Sequence, residues 1–326
     1  MQDHKFSVVI PLYNKANHIL QAVESILAQS VPVDEIVVVN DGSTDDGVER
    51  LKQAALPKVK IIEQENLGVS VARNRGIWEA DNDLIAFLDA DDEWLPFFLE
   101  EMQHLIEKFP QSEYFASRYQ CTDGDKFIDA KIAYDALDPD GVLLDDYFEL
   151  AGNGDLPFMI SSSVVRRSLI DEIGGFPPGE RIGEDQDFFA RAAMRGPIAY
   201  SPNIHLMYRR DGDNSATSAY VPTAECPFSQ RLQHQIEQHS QLQAQSMETH
   251  SIETNFLETR PIEKYCAAHL CHLAKLNIYK GEFRDARKLL TDPRCRLKAK
   301  HKWGLLAFSY LKQTQKMLSV NRSLHA

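Results

Sequence analysis

Over residues 6–117 the chain alternates short apolar runs with segments of helical periodicity, and no other feature constrains the fold as much. Residues 6–12, 35–39, 59–62 and 84–88 are apolar runs too short for helices and bounded by polar or turn residues. Between them, residues 17–29 carry Ile19, Leu20, Val23, Ile26 and Leu27 at helical spacing, and residues 69–80 read as another helix. The turn Asn40-Asp41-Gly42-Ser43 ends the second run, and Ser43 or Thr44 is expected to cap the helix that follows. Pro96 is expected in the first turn of a helix reaching Phe109, and residues 114–117 form a fifth strand. This alternation predicts an α/β domain: a mostly parallel sheet covered by helices on both faces.

From 122 to 155 the pattern loosens into Asp- and Gly-containing stretches, expected to be loops over a site. Residues 158–165 read as a strand, 184–195 as a helix with Phe188, Phe189 and Ala192 on one face, and 204–209 as a last strand. Beyond Pro227 the character changes. Residues 230–245, 261–279, 282–290 and 298–317 read as helices, so a boundary is expected near residue 225.

The 326 residues suffice for a sizeable core, and 43% hydrophobic with 25% charged residues is ordinary for a soluble protein. No apolar run is long enough to span a membrane. The N-terminal stretch lacks the basic region of a signal peptide, and the five cysteines contain no CxxC pair, so a cytoplasmic location with free thiols is expected. A net charge of −13 argues against nucleic-acid binding. That charge is segregated: residues 284–326 carry 11 Lys+Arg and 2 Asp+Glu, the remainder 24 and 46.

The apolar run at 84–88 breaks into Asp89, Asp91, Asp92 and Glu93. Open α/β sheets bind ligands at the carboxyl ends of their strands. Carboxylates crowded there raise one another's pKa unless a cation offsets them. Magnesium takes one or two carboxylates and completes its shell with phosphate and water. The cluster therefore predicts a metal-held phosphorylated substrate.

Five segments extend this reading: SVVIPLYN at 7–14, VVVNDGSTDD at 37–46, ENLGVSVARNRG at 65–76, FLDADDEW at 87–94 and GGFPPGERIGEDQDFFARAA at 174–193. As an ordered set, they closely resemble the family-2 glycosyltransferases, inverting enzymes of the GT-A fold that use nucleotide-diphosphate sugars. The resemblance covers about residues 5–215. It implies a Rossmann-like GT-A sheet, with residues 1–120 as the nucleotide-sugar-binding half, 121–225 as the acceptor-binding half and 226–326 as a C-terminal helical region.

The resemblance also assigns roles. Pro11 and Tyr13 would lie against the base, Asp41 would accept from a uracil-type imide N–H, and Arg73 would lie near base and diphosphate. Asp89 and Asp91 match the DxD motif. Asp91 would ligate Mn2+ or Mg2+ directly, and Asp89 would bind ribose or reach the metal through water. Asp185 of the Glu184-Asp185 pair would be the general base, with Glu184 and Asp187 assisting. Each residue also has a structural alternative: Asp41 as a turn cap, Arg73 as a solvated helix residue, Trp94 as core or a sugar platform, Glu184 and Asp185 as acids at a helix start. Asp211 stands where the family often has a histidine, which leaves the third metal ligand open, and His205 reads as packed core.

The implied activity is transfer of a sugar, UDP-linked foremost, to a glycan or lipid-linked acceptor in surface polysaccharide or lipopolysaccharide synthesis. The rival classes are a sugar-nucleotide pyrophosphorylase and a non-catalytic nucleotide-sugar or glycan-binding protein. The pyrophosphorylase would want a glycine-rich loop after the first strand, where this chain has Pro11-Leu12-Tyr13-Asn14-Lys15. Cys266, His269, Cys271 and His272 fit no common zinc spacing. In the basic tail, Trp303, Leu306, Ala307, Tyr310 and Leu311 recur at helical spacing, expected either to pack on the body or to lie on anionic lipid.

Overall fold

The computed structural model describes residues 4–133, 137–209, 220–249 and 259–324. The chain divides into two compact units, Met1–Leu150 with Gly154–Ala216, and Ala151–Asn153 with Thr217–Ala326.

The first unit holds ten strands in one sheet. Strands β1 (Phe6–Leu12), β2 (Glu35–Asp41), β3 (Val59–Gln64) and β4 (Leu84–Phe87) pair in parallel in the order β3-β2-β1-β4. Helices α1 (Ile19–Leu27), α2 (Gly47–Ala54) and α3 (Val69–Glu79) connect them. β1 is buried on both faces. Val8, Ile10 and Leu12 share a core cluster with Ile19, Val23 and Ile26 of α1, while α3 crosses the other face at Val9. This double burial is why β1, like the buried β2 and β4, reads as an apolar run, whereas the edge strand β3 is only partly buried.

Past β4 the sheet becomes mixed. After the two-residue β5 (Glu93–Trp94) and α4 (Phe98–Lys108) comes β6 (Tyr114–Asp123), whose hairpin partner is β7 (Lys126–Asp129). β8 (Val142–Leu144) and α5 (Tyr147–Asn153) lie in the stretch expected to be loops. β9 (Ser163–Arg166) inserts antiparallel between β4 and β6. Then follow α6 (Arg167–Ile173), α7 (Glu184–Arg195) and β10 (Ile198–Arg209), which is parallel to β6.

Three local expectations are corrected. The strand expected over 158–165 exists only from Ser163, because a 3-10 turn occupies Ile160–Ser162. There the Ser162 hydroxyl accepts from the Met159 N–H and donates to its carbonyl, the local competition by which serine opposes a ladder. Pro96 lies outside α4, and its carbonyl accepts from the Ser30 N–H. Ser43 and Thr44 do not cap α2. Their groups bond Asn14 instead and tie the loop after β2 to the loop after β1.

The second unit is helical: Pro227–Thr249, Thr259–Lys280, Phe283–Leu290 and Ala299–Leu324. Its core gathers Phe228, Tyr265, Cys266, Leu270, Leu273 and Leu290. His269 meets the edge of the Phe228 ring at 4.6 Å, and burial lowers its pKa to about 3. Among the described residues, no three His, Cys, Asp or Glu side chains could share a metal ion.

Candidate active site

The carboxyl ends of β1, β2 and β4 bring the acidic motif beside two loops. Asn14 Oδ1 accepts from the Thr44 N–H at 2.7 Å, and Asp45 accepts from the Ala16 N–H at 2.8 Å. These bonds fix the backbone around Lys15, whose Nζ sits 2.5 Å from Asp91. Sequence reasoning gave Lys15 no functional role. A lone loop lysine usually belongs to a solvated face, and its partner lies 76 residues away.

Asp41 is 3% exposed and accepts three hydrogen bonds, from Gln64 Nε2 (2.7 Å), the Leu67 N–H (2.8 Å) and the Gly68 N–H (2.8 Å). It therefore closes the loop that enters α3. Pro11 is buried in β1 opposite Val39, and Tyr13 is 45% exposed just beyond the strand.

Arg73 is the centre of the arrangement. Only 3% exposed on α3, it donates Nη2 to Asp89 at 2.8 Å and Nη1 to Glu184 at 3.0 Å, above the face of Phe176. One guanidinium thus joins the end of β4 to the start of α7, whose Glu184 lies 111 residues beyond Arg73 in sequence. Its neighbour Arg75 turns outward onto Trp78 and Glu79.

The start of α7 is held from below. Phe87, Phe176 and Phe188 form an aromatic group in which Phe176 and Phe188 stack at 4.5 Å. Asn74 clamps the backbone of Phe176 through its amide nitrogen and oxygen, both at 2.8 Å. A Cβ on Gly175 would meet Asn74 Oδ1 at 2.2 Å, so the Gly-Phe pair allows this close approach. Gly183, at φ +90°, turns the chain into the helix through a region that favours glycine. Asp187, an expected helper of the base, pairs with Arg191 at 2.7 Å, and Arg191 holds the carbonyls of Ile173, Gly174 and Gly175.

Asp185 follows Glu184 at this helix start. Burial and the adjacent Glu184 push its pKa up to about 7, against the opposing pull of Arg73. Asp92 is also held well above the usual range, first by burial and then by Asp91 and Asp89. Its carboxylate accepts from the Ser161 hydroxyl at 2.6 Å and from the Arg209 N–H at 3.1 Å. Ser161 in turn accepts from the Asp89 N–H. Asp92 therefore braces the acidic turn. Trp94 resolves as core: 2% exposed, against Phe98, with Nε1 donating to the Ser161 carbonyl. His205 is buried, with its Nε2 3.7 Å from Glu101 on α4. Asp211 lies outside the described residues.

An acidic cluster at the carboxyl edge of parallel strands, beside a buried bridging arginine and a carboxyl with a raised pKa, marks a candidate ligand site of an α/β protein. The sequence matches the family "Glycosyl transferase family 2" over residues 7–174. It is 34% identical over 229 residues to the uncharacterized glycosyltransferase alr2836 of Nostoc sp. (strain PCC 7120), covering 68% of this chain and 69% of that one. It is 29% identical over 219 residues to TuaG of Bacillus subtilis (strain 168), provisionally named a teichuronic acid biosynthesis glycosyltransferase, covering 65% of this chain and 81% of that one. The chain belongs to glycosyl transferase family 2, which sets aside the pyrophosphorylase alternative. The fold is also that of S. aureus TarS 1–349 in complex with UDP-GlcNAc, with a TM-score of 0.63 and 18% identity over 98% of this chain and 91% of that one. The chain spans only 29% and 30% of two further curated relatives.

Proposed function

We propose that the chain transfers a sugar from a nucleotide diphosphate, UDP foremost, to a hydroxyl of a surface glycan or lipid-linked acceptor, with inversion at the anomeric carbon. The observation that carries this reading is the Arg73 bridge, which draws Asp89 and the Glu184-Asp185 pair to one site. A relative named for teichuronic acid synthesis and a structural neighbour holding UDP-GlcNAc support the setting and the donor class.

Asp185 takes the proton of the acceptor hydroxyl as it attacks. A carboxyl poised near pH 7 is well matched to that task. Asp41 already accepts three hydrogen bonds, and a carboxylate offers about four lone-pair sites, so one remains for a base imide N–H. Lys15 brings a positive charge to the acidic edge where a diphosphate would sit.

Asp91 and Asp89 are the residues that would hold Mn2+ or Mg2+. Two hard carboxylates, with no third protein ligand converging among the described residues, suit a cation that draws its other oxygens from diphosphate and water. Bound there, the cation supplies charge opposite the leaving diphosphate.

The test is release of UDP from candidate donors with an acceptor present, with Mn2+ or Mg2+ added or chelated. Turnover is expected to need the cation. Asp185→Asn is expected to bind UDP as the parent does and to lose about 10²–10⁴-fold in kcat. Full transfer by that variant would overturn the base assignment.

A further inference from the structure

We infer that the helix Ala299–Leu324 carries a docking face for an anionic lipid surface. The inference concerns the helical unit alone and stands apart from the reading of the active site.

The helix packs on Thr259–Lys280 and Phe283–Leu290, with Ser309 fully buried. Leu306, part of the apolar stripe read from sequence, is only partly exposed. The rest of that stripe faces away: Trp303 is 67% exposed, Tyr310 59% and Leu311 56%, with Ala307 exposed between them. On a helical wheel these four share one flank with Gly304 and Lys300, both also exposed. Tyr279, 65% exposed, adds a further aromatic beside Phe308, with Lys312 over the Phe308 ring.

Scattered exposed leucines are common and need no explanation. A tryptophan, a tyrosine and a leucine on one flank, edged by lysines, form a different pattern. Trp and Tyr suit the boundary between headgroups and acyl chains, because each has an apolar body and a polar tip. From Pro293 to Ala326 the sequence has eight Lys+Arg and no Asp or Glu. That charge complements anionic headgroups. A nucleic acid would answer the charge but leave the indole and leucine in water. Among the described residues no helix is long and apolar enough to cross a membrane, so the helix would lie on the surface.

The full chain should co-float with vesicles of phosphatidylcholine and phosphatidylglycerol, and not with phosphatidylcholine alone. Trp303→Ser with Leu311→Ser should lower binding at least about tenfold, since both side chains lose their apolar contact with lipid. Lys300→Glu with Lys312→Glu should abolish it, and high salt should weaken the parent. All four positions are exposed, so the melting temperature should stay within a few degrees of the parent's. Failure of the parent to float with anionic vesicles overturns the inference, as does a Trp303→Ser, Leu311→Ser chain that floats normally. So does a concentration-dependent dimer of the parent that this double variant dissolves, which would make the face a contact between copies.

Discussion

Single residues show how far a local sequence pattern reaches and where it stops. Asp89, Asp91 and Asp185 stand out because each sits in a short local pattern tied to a strand end or helix start. The partners of those carboxylates are invisible at that range. Arg73 reaches Asp89 and Glu184 only because α3, β4 and α7 converge, and Lys15 reaches Asp91 only because two loops are tied together. On the proposed reading Arg73 positions the base, and its charge lowers the Asp185 pKa. Replacing it by a neutral side chain leaves Glu184 without a counter-charge and removes an interaction that lowers the Asp185 pKa. In Arg73→Gln the acid limb of kcat/KM should therefore move above the parent's midpoint near pH 7, measured on the folded fraction. Stability should fall by about 3–5 kcal/mol, the usual cost of breaking a buried pair. An unmoved limb would reduce Arg73 to a purely structural brace.

At the level of elements, β1, β2 and β4 were legible because burial on both faces leaves a continuous apolar signature, while the partly buried edge strand β3 showed only a short one. The 160–166 region was not. Its apolar and serine residues suit a strand, but hydroxyl bonds to Met159 hold the first part in a 3-10 turn. That turn has a specific consequence. It carries the Ser161 hydroxyl between the Asp92 carboxylate and the Asp89 N–H, so a local departure from the sheet supports the acidic motif. Ser161→Ala would leave a buried carboxylate short of a donor and is expected to cost about 1–3 kcal/mol. Because Asp89 loses its backbone anchor, affinity for UDP in the presence of Mn2+ should fall as well. Calorimetry can separate the two: a stability loss with unchanged UDP affinity would confine Ser161 to the fold.

For the whole molecule, the sequence revealed a parallel sheet followed by a helical region, but not the antiparallel entry of β9 between β4 and β6. Its pairing with β4 joins Ile85 to Val165, and no local pattern encodes it. The same long-range assembly brings acidic groups of the turn after β4 and of α7 together, and this has a thermodynamic consequence. Asp185 titrates near 7 in the folded chain and near about 3.9 when unfolded. Between those values the folded state binds more protons than the unfolded state. Its stability must therefore fall as pH rises through that window, and the raised Asp92 adds in the same direction. The ligand-free chain should show its melting temperature declining from about pH 4.5 to pH 7.5, apart from any general acid unfolding at the low end. Asp185→Asn removes one of these titrations and should flatten the decline. A divalent cation with UDP should flatten it too, by supplying positive charge to the same carboxylates. Melting curves for the parent and variant across that range, with and without the ligands, decide the matter. A parent whose melting temperature rises steadily to pH 7.5 would mean that the acidic groups are already neutralised by Arg73 and Lys15.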